Sequence, residues 1–160
     1  MDEIKEISIK DENYPKLLKE VKQAPKTLYY RGELKFAGLR PSHASAKASA
    51  SDENCFAVVG TRMASNYGKE AAFEIAGPLA EAGLTIVSGM APGIDTFAHR
   101  AALELNKRTI AVLGTGLDEK SIYPQSNLEL AKEILEKGGC LISEYAPGTR
   151  GTRFTFPQRN

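Results

Sequence analysis

The stretch Phe56-Ala57-Val58-Val59-Gly60-Thr61-Arg62 joins an apolar run to a loop of small residues, and the chain repeats this arrangement three more times. Small residues let the charged groups of a ligand approach backbone N–H groups closely. Because the strands of a parallel sheet point the same way, the four loops are expected to meet at one edge, where open α/β sheets bind ligands. The pattern therefore predicts a site for a phosphorylated ligand. The other three loops are Ser88-Gly89-Met90-Ala91-Pro92-Gly93, Gly114-Thr115-Gly116 and Ser143-Glu144.

From Cys55 onwards the sequence alternates between strand and helix patterns. Continuous apolar runs are typical of strands buried on both faces of a parallel sheet, and they lie at 56–59, 84–87, 109–113 and 141–143. Helical patterns lie between them, at about 66–82, 94–105 and 128–137. This alternation predicts an α/β fold: a Rossmann-like, doubly wound parallel sheet with helices on both faces. Ser65 is expected to cap the first helix, and Gly77-Pro78 to kink or split it.

The chain divides into three predicted segments. Residues 1–36 form a lead-in that contains a short amphipathic helix, beginning near Tyr14-Pro15, and a short strand at 28–30. Residues 37–54 are rich in Ser and Ala, include His43, and predict a mobile surface loop. Residues 55–160 form the Rossmann-like domain. The apolar side of the lead-in helix consists of Leu17, Leu18 and Val21.

Composition is that of an ordinary globular protein: 160 residues, 42% hydrophobic and 26% charged. No apolar run approaches the roughly 20 residues that span a bilayer, and the N-terminus lacks the apolar core of a signal peptide, so a cytoplasmic protein without a membrane partner is expected. Cys55 and Cys140 each begin an apolar run and are predicted to be buried and reduced. No metal site is expected, because His43 and His99 match no ligand spacing.

The net charge of +1 gives no reason by itself to expect a polyanion as partner. The loops that should share the sheet edge, together with the C-terminal tail, nevertheless carry a small positive excess that would attract phosphate. A randomly solvated charge pattern is the alternative.

Two common phosphate motifs and the usual catalytic arrangements are absent from the sequence. Seven residues separate Gly60 from Gly68, and Glu70 follows Lys69, which excludes a P-loop. No dinucleotide fingerprint follows the first strand, which disfavours a redox enzyme. No Ser-His-Asp set or pair of carboxylates stands out. Asp95 and His99 share a helix face, which leaves open a local cap-and-pair role or a catalytic one.

The motifs resemble, in their order and spacing, the DNA-processing protein family DprA/Smf. The resemblance covers nearly the whole chain except residues 37–54. Its elements are Tyr14-Pro15, Leu28-Tyr29-Tyr30, Gly60-Thr61-Arg62 with Ser65 and Gly68, Ser88-Gly89 with Gly93-Ile94-Asp95 and Ala98-His99, Gly114, Gly116-Leu117-Asp118, Tyr123-Pro124, Asn127, Ser143-Glu144, Gly148, Phe156-Pro157 and Arg159-Asn160.

The resemblance implies a single-stranded DNA-binding protein of natural transformation that grips the phosphate backbone in a basic pocket at the strand ends and aids loading of the RecA recombinase. It implies no catalysis and no cofactor, and a homodimer. Arg62 would contact phosphate, and Phe156 would stack on a base. The full set of implied DNA- or phosphate-binding residues is Gly60, Thr61, Arg62, Ser88, Gly89, Gly93, Gly114, Gly116, Arg153, Phe156, Arg159 and Asn160. The implied pocket-shaping residues are Asp95, His99, Tyr123, Asn127 and Glu144.

Several structural alternatives stay open at this point. Arg62 could pair with Glu144 across the strand ends, and Phe156 could belong to the core under the last loop. Tyr123 could pack rather than stack, and Asn127 could cap a helix. The resemblance also ends inside a motif that continues in the family, so the Rossmann-like domain is expected to be incomplete at its C-terminus, which leaves RecA contact and dimerisation open.

The alternative function is a small-nucleotide-binding protein or an enzyme on the same fold. The segment Pro147-Gly148-Thr149-Arg150-Gly151-Thr152 is similar to the P-G-G-x-G-T loop of the phosphoribohydrolases that activate cytokinins. Thr149 replaces the second glycine of that loop, and Thr155 stands where the catalytic glutamate would be. Without that carboxylate, N-glycosidic cleavage has no evident acid or base.

Overall fold

A six-stranded sheet is the centre of the structure, a computed structural model that describes residues 3–34 and 54–159. The strand order is β1-β2-β6-β5-β4-β3. The last four strands in sequence, β3 to β6, are parallel, and the first two join them antiparallel beside β6. The predicted α/β fold is therefore confirmed, but the sheet is mixed rather than wholly parallel. The strands are β1 Lys5–Ser8, β2 Thr27–Gly32, β3 Cys55–Ala57, β4 Thr85–Ser88, β5 Thr109–Leu113 and β6 Cys140–Ser143.

Five α-helices connect or follow these strands in the described residues. They are α1 Lys16–Lys19, α2 Asn66–Glu81, α3 Ile94–Glu104, α4 Leu128–Glu136 and α5 Thr155–Arg159. A 3₁₀ turn at Gln125–Asn127 leads into α4. Ser65 caps α2 as predicted, because its Oγ accepts the Gly68 N–H at 3.2 Å. The predicted loop at 37–54, with His43, lies outside the described residues apart from Asn54, and so does Asn160.

The three crossover helices and the lead-in cover opposite faces of the sheet. Strands β3 to β6 follow one another across the sheet, so their right-handed crossovers place α2, α3 and α4 on one face. That face buries side chains such as Ala111, Leu113 and Leu141. The other face is packed by the lead-in, with Tyr14 fully buried and Leu18 of α1 beside it.

Helices α2 and α3 pack through small side chains. Ala76 and Ala80 of α2 meet Ala98, Ala101 and Ala102 of α3 in one cluster whose members are at most 2% exposed. We call these five residues the alanine seam. Small side chains bring two helix backbones close together, so the seam sets the spacing between α2 and α3 and between the loops from which they start.

The lead-in is tied to the sheet edge by a buried arginine. Arg31 of β2 is 4% exposed, and its Nη1 donates to the Leu117 carbonyl at 3.0 Å in the loop after β5. The short strand predicted at 28–30 is confirmed within β2. Strand β1 was not predicted, because only one residue of its Lys-Glu-Ile-Ser sequence is buried and no apolar pattern marks it.

Two predictions about local structure are wrong. The predicted split of the first helix at Pro78 is wrong, because α2 runs from Asn66 to Glu81 with Pro78 inside its last turn, and the predicted kink stays untested. The lead-in helix is a single turn, and Leu17 and Val21 are exposed rather than packed.

The prediction that both cysteines are buried is confirmed for Cys140 and wrong for Cys55. Cys140 lies in β6, inside the sheet, and is fully buried. Cys55 begins β3, which is the edge strand, and Cys55, Phe56 and Ala57 are all exposed. An apolar run therefore marked a strand correctly but did not distinguish an edge strand from a central one.

We expect the two thiols to react at very different rates. In the native protein a thiol reagent such as DTNB should modify Cys55 quickly and leave Cys140 unmodified until denaturant is added, because modification requires an accessible thiolate. The number of thiols modified before and after unfolding measures this, and Cys55→Ala assigns the fast one. Fast modification of two thiols in the native protein would contradict the burial of Cys140.

Candidate nucleic-acid interface

The four loops of small residues lie together at the carboxyl ends of β3 to β6, as the parallel direction of these strands requires. A small open cleft lies at this edge. Its walls are mostly apolar, with one cationic side chain and no carboxylate. The lining residues are Arg62, Met90, Ala91, Pro92, Leu113, Gly114, Tyr123, Pro124 and Phe156.

Three side chains form a stack at the mouth of the cleft. The guanidinium carbon of Arg62 lies 5.7 Å from the ring centroid of Phe156, which is within the range of a cation–π contact. The Phe156 ring lies in turn 5.5 Å from the Tyr123 ring, at an interplanar angle of 42°. Arg62 and Tyr123 are exposed. The stack thus presents a positive charge and aromatic surface side by side.

Arg62 does not pair with Glu144, so that structural alternative is not realised. Within the part of the chain that the structure describes, Arg62 makes no ion pair, and the cation–π contact with Phe156 is its side-chain interaction. Partial burial raises the pKa of the Glu144 carboxyl. The pKa values of Tyr14 and Tyr145 are raised as well, mainly by burial and secondly by the negative charge of Glu144.

Phe156 reaches the cleft because glycines leave room for it. A Cβ at Gly114 would lie 2.9 Å from Cδ1 of Phe156, and one at Gly151 would overlap the same ring. Phe156 is half-buried, so it both packs on the loop after β5 and faces the cleft. The packing interpretation of Phe156 is therefore confirmed, and its stacking on a base stays a prediction.

The loop that carries Arg62 is held by the start of α3. Ile94 donates its N–H to the Thr61 carbonyl at 3.1 Å. Gly93, at φ 82° and ψ −130°, is in a conformation that only glycine adopts readily, and a Cβ there would overlap the Thr61 carbonyl oxygen. At Gly60 a Cβ would lie 2.6 Å from the Ile94 side chain. The loops after β3 and β4 therefore touch backbone to backbone.

One buried and two partly buried side chains hold the carbonyls of three consecutive residues in the loop after β4. His99 Nε2 lies 2.7 Å from the Gly89 carbonyl oxygen, and Asn127 Nδ2 donates to the Met90 carbonyl at 2.9 Å. Thr96 Oγ1 donates to the Ala91 carbonyl at 2.8 Å, and the Ala91 N–H reaches Asp95 Oδ2 at 3.4 Å. These contacts determine the shape of one wall of the cleft.

Asn127 is therefore not a side-chain cap. It stands at the N-terminus of α4, but its side chain makes no capping hydrogen bond. The second proton of its amide goes to Thr96 Oγ1 at 2.9 Å, so Asn127 connects α4 to the loop after β4 and to α3.

His99 is neutral and fully buried. Burial lowers its pKa to about 4, and the hydrogen bond to Gly89 offsets only part of this decrease. Nε2–H donates to the Gly89 carbonyl, and Nδ1 lies 2.8 Å from the Thr109 hydroxyl oxygen, which is itself 2.7 Å from the Ile86 carbonyl oxygen. The ring thus has both nitrogens engaged and no access to a ligand.

Asp118 joins the loop after β5 to the loop after β6. Its two carboxylate oxygens accept hydrogen bonds from the Gly148 N–H at 2.6 Å and the Ser121 hydroxyl at 2.8 Å. Burial raises the pKa of Asp118, but these hydrogen bonds outweigh that effect and the pKa is lowered overall. The N–H of Gly116 is also used internally, by the Thr149 carbonyl at 2.8 Å.

The structure divides the predicted binding residues into two groups. Arg62, Gly114 and Phe156 line the cleft, together with Tyr123, which was predicted to shape the pocket. Gly60, Thr61 and Arg153 are exposed, and Gly93 is partly buried against the Thr61 carbonyl. Ser88, Gly89 and Gly116 are buried beneath the edge, where the Ser88 hydroxyl, for example, donates to the Val58 carbonyl at 2.6 Å. Arg159 lies in α5, and Asn160 is outside the described residues.

Sequence reasoning missed five lining residues: Met90, Ala91, Pro92, Leu113 and Pro124. Each is next to, or two residues from, a residue that was singled out, so the loops themselves carried the signal.

Two negative observations hold for residues 3–34 and 54–159: no helix is long and apolar enough to cross a membrane, and no group of three or more His, Cys, Asp or Glu side chains could hold a metal ion.

Comparison with known proteins identifies close relatives. The sequence profile of the family DNA recombination-mediator protein A matches residues 5–160. Protein Smf of Synechocystis is 41% identical over 150 residues, which cover 94% of this chain and 34% of the relative. DNA processing protein DprA of Streptococcus pneumoniae is 40% identical over 156 residues, 96% of this chain and 48% of the relative. The chain therefore spans a third to a half of the length of these curated relatives.

Two solved structures share the fold. The X-ray structure of DprA from Streptococcus pneumoniae superposes with a TM-score of 0.80 at 36% identity and covers 98% of this chain, which corresponds to 49% of that protein. DNA processing protein A from Helicobacter pylori, whose structure describes its single-stranded DNA binding mode, superposes with a TM-score of 0.75 at 29% identity, over 99% of this chain and 65% of that protein.

The buried neutral His99 predicts a specific pH dependence of stability. Its folded pKa lies below the unfolded value of about 6.5, so the unfolded state takes up a proton first and the free energy of unfolding falls as pH decreases from about 6.5 towards 4. The decrease is at most about 1.4 kcal/mol per pH unit. Urea denaturation across this range measures it.

His99→Leu should abolish most of that slope, whereas His43→Asn, which removes the other histidine, should retain it. The assignment to His99 would be wrong if the slope of His99→Leu equalled that of the unmodified chain.

The contact at Gly93 predicts an unequal effect of two alanine substitutions. Gly93→Ala combines backbone strain with overlap on the neighbouring loop and should cost roughly 3 kcal/mol or more. Gly138→Ala is the matched control, since Gly138 also has a positive φ, 75°, but has open space around it, and it should cost about 1 kcal/mol. Equal losses in denaturant unfolding would show that the loop contact contributes nothing.

Proposed function

The chain belongs to the DNA recombination-mediator protein A family, which includes the Smf and DprA proteins, and from this we propose that it binds single-stranded DNA along the carboxyl edge of its parallel strands. The observation that carries the proposal is the Arg62–Phe156–Tyr123 stack at the mouth of the cleft. Proteins that bind single strands combine cations for the phosphates with aromatic rings for the bases, and this stack supplies both.

Arg62 is the group that we assign to a phosphate. It is exposed, it has no acidic partner among the described residues, and it extends from a loop that Gly93 and Ile94 hold in place. A guanidinium that stacks on an aromatic ring keeps its in-plane N–H donors available. Arg62 can therefore keep its contact with Phe156 and donate to a phosphate oxygen at the same time.

Tyr123 and Phe156 are the groups that we assign to bases. Stacking on an aromatic face requires an unpaired base and is tolerant of sequence, since every base has a π-face. The assignment thus predicts a preference for single strands over duplex and little preference among sequences. The neighbouring loop glycines leave the backbone accessible at the same edge.

We infer binding rather than catalysis. His99 has both ring nitrogens engaged, Asp95 is buried, and no carboxylate lines the cleft. General acid–base chemistry would need such a group within hydrogen-bonding reach of a substrate. The lack of a carboxylate at the cleft also weighs against the phosphoribohydrolase alternative. Thr155 stands where the catalytic glutamate of those enzymes would be, and its hydroxyl donates to the Thr152 carbonyl at 3.2 Å.

We also propose that the chain delivers the bound strand to RecA, that it forms a homodimer and that it is located in the cytoplasm. They rest on the resemblance to a family whose proteins are two to three times longer than this chain. Pull-down of RecA in the presence and absence of a DNA strand, and light scattering of the chain alone, test the first two.

The test of DNA binding compares Arg62→Ala with Arg100→Ala. Arg100 is a matched control, since it loses the same charge but lies between α3 and α4, where it pairs with Glu133 at 3.2 Å. In fluorescence anisotropy with labelled oligo-dT, Arg62→Ala should weaken binding about tenfold. The slope of log K against log salt should also decrease by about 0.7, the contribution of one phosphate contact on a single strand. Arg100→Ala should change neither quantity.

Two outcomes would contradict the proposal. Equal affinity of the unmodified chain for single strand and duplex would remove the role of stacking. If AMP or ATP raised the melting temperature while no strand bound, the small-nucleotide function would replace DNA binding.

A further inference from the structure

A second exposed arginine–aromatic pair stands beside the cleft. The guanidinium carbon of Arg153 lies 4.8 Å from the ring centroid of Phe154, a closer approach than that of Arg62 to Phe156. Phe154 is 62% exposed and belongs to none of the three apolar clusters of the core. Arg153 makes no ion pair with any residue that the structure describes. The fold therefore gives this pair no evident structural role.

Exposure of one large apolar side chain is commonplace and needs no explanation by itself. Here the backbone that carries the side chain is also held by local hydrogen bonds. Thr152 Oγ1 accepts the N–H groups of Phe154 and Thr155, both at 3.2 Å, and the Thr152 N–H donates to Thr155 Oγ1 at 2.9 Å. A side chain on such a preorganised turn loses little conformational entropy when it binds a ligand.

The same turn connects the pair directly to the cleft. Phe156, two residues after Phe154, lines the cleft and stacks on Tyr123. The Tyr145 hydroxyl also contacts the Thr155 carbonyl, at 3.4 Å, which ties the turn to the loop after β6. Two arginine–aromatic pairs thus stand next to each other along one edge, each with a cation and a ring.

We propose that Phe154 forms a second stacking subsite, which takes the nucleotide next to the one held at Arg62, Tyr123 and Phe156. It would act together with Arg153, which the family resemblance already implies as a DNA-binding residue. The base stacks on the exposed face of the Phe154 ring, and Arg153, on the other face, attracts the adjoining phosphate. This inference rests on the proposed binding of single-stranded DNA and adds to it the direction in which the strand leaves the cleft, along the turn towards residue 152.

The chemistry of the subsite predicts how it behaves. A phenylalanine ring has no hydrogen-bonding group, so any base can occupy it and the subsite adds affinity without sequence preference. Phe154 acts through stacking and Arg153 through charge. The two should therefore differ in their effect on the salt dependence of binding, although they are adjacent in the chain.

The experiment measures affinity and salt slope for short and long oligo-dT strands by fluorescence anisotropy. Phe154→Ala should weaken binding of the long strand roughly tenfold and leave the salt slope unchanged. Arg153→Ala should decrease the slope by about 0.7. Phe154→Tyr, which retains the ring, should restore the affinity. Leu17→Ala is the control, since Leu17 is 78% exposed on α1, and it should have no effect.

Length dependence gives a second readout. The shortest strand that binds should lose less affinity on Phe154→Ala than the long strand, because it does not reach both subsites. Photocrosslinking of a bromodeoxyuridine strand should also label the peptide that contains Phe154.

The outcomes separate this inference from the proposed function. If Phe154→Ala bound like the unmodified chain while Arg62→Ala bound weakly, the second subsite alone would be overturned. If the unmodified chain bound no strand, both proposals would fail. Equal loss of affinity in Phe154→Tyr and Phe154→Ala, with a lowered melting temperature in both, would assign Phe154 to folding and overturn the subsite.

Discussion

The position of Arg62 depends on a direct backbone contact between two loops. Gly93 lies against the carbonyls of Thr61 and Arg62, and Gly60 lies against the Ile94 side chain. Neither glycine leaves space for a Cβ, so the loop after β3 and the start of α3 are closer than any other residue type would allow. The cation at the mouth of the cleft is thereby placed by main-chain atoms, which move less than long side chains do.

The cleft wall formed by the loop after β4 is held by a different set of contacts. The carbonyls of Gly89, Met90 and Ala91 are held in turn by His99, Asn127 and Thr96, three side chains from two helices. Buried polar groups are costly when they lose a partner, so each of these hydrogen bonds resists rearrangement of the loop. A cleft with both walls held in this way loses little entropy when a strand binds, which lets a small contact area give useful affinity.

The sequence predicted those features that depend on local pattern. The alternation of apolar runs and helices, the Ser65 cap and the gathering of four loops at one edge follow from rules that act within a few residues. Features that depend on distant partners were not predictable. The exposure of Cys55 depends on β3 being an edge strand, and the contact of Arg62 with Phe156 depends on a tail 94 residues later folding over Gly114. Asn127 looked like a helix cap because its position is one, although its amide points to another loop.

The alanine seam has a consequence for genetics. Helices α2 and α3 both start at the edge where the loops meet, and the five alanines packed between them are at most 2% exposed. A valine in the seam would push the helices apart and, through them, separate Gly93 from the loop that carries Arg62. A screen for variants that fold but have lost their ligand should therefore recover changes deep in the seam, far from any atom that a ligand touches.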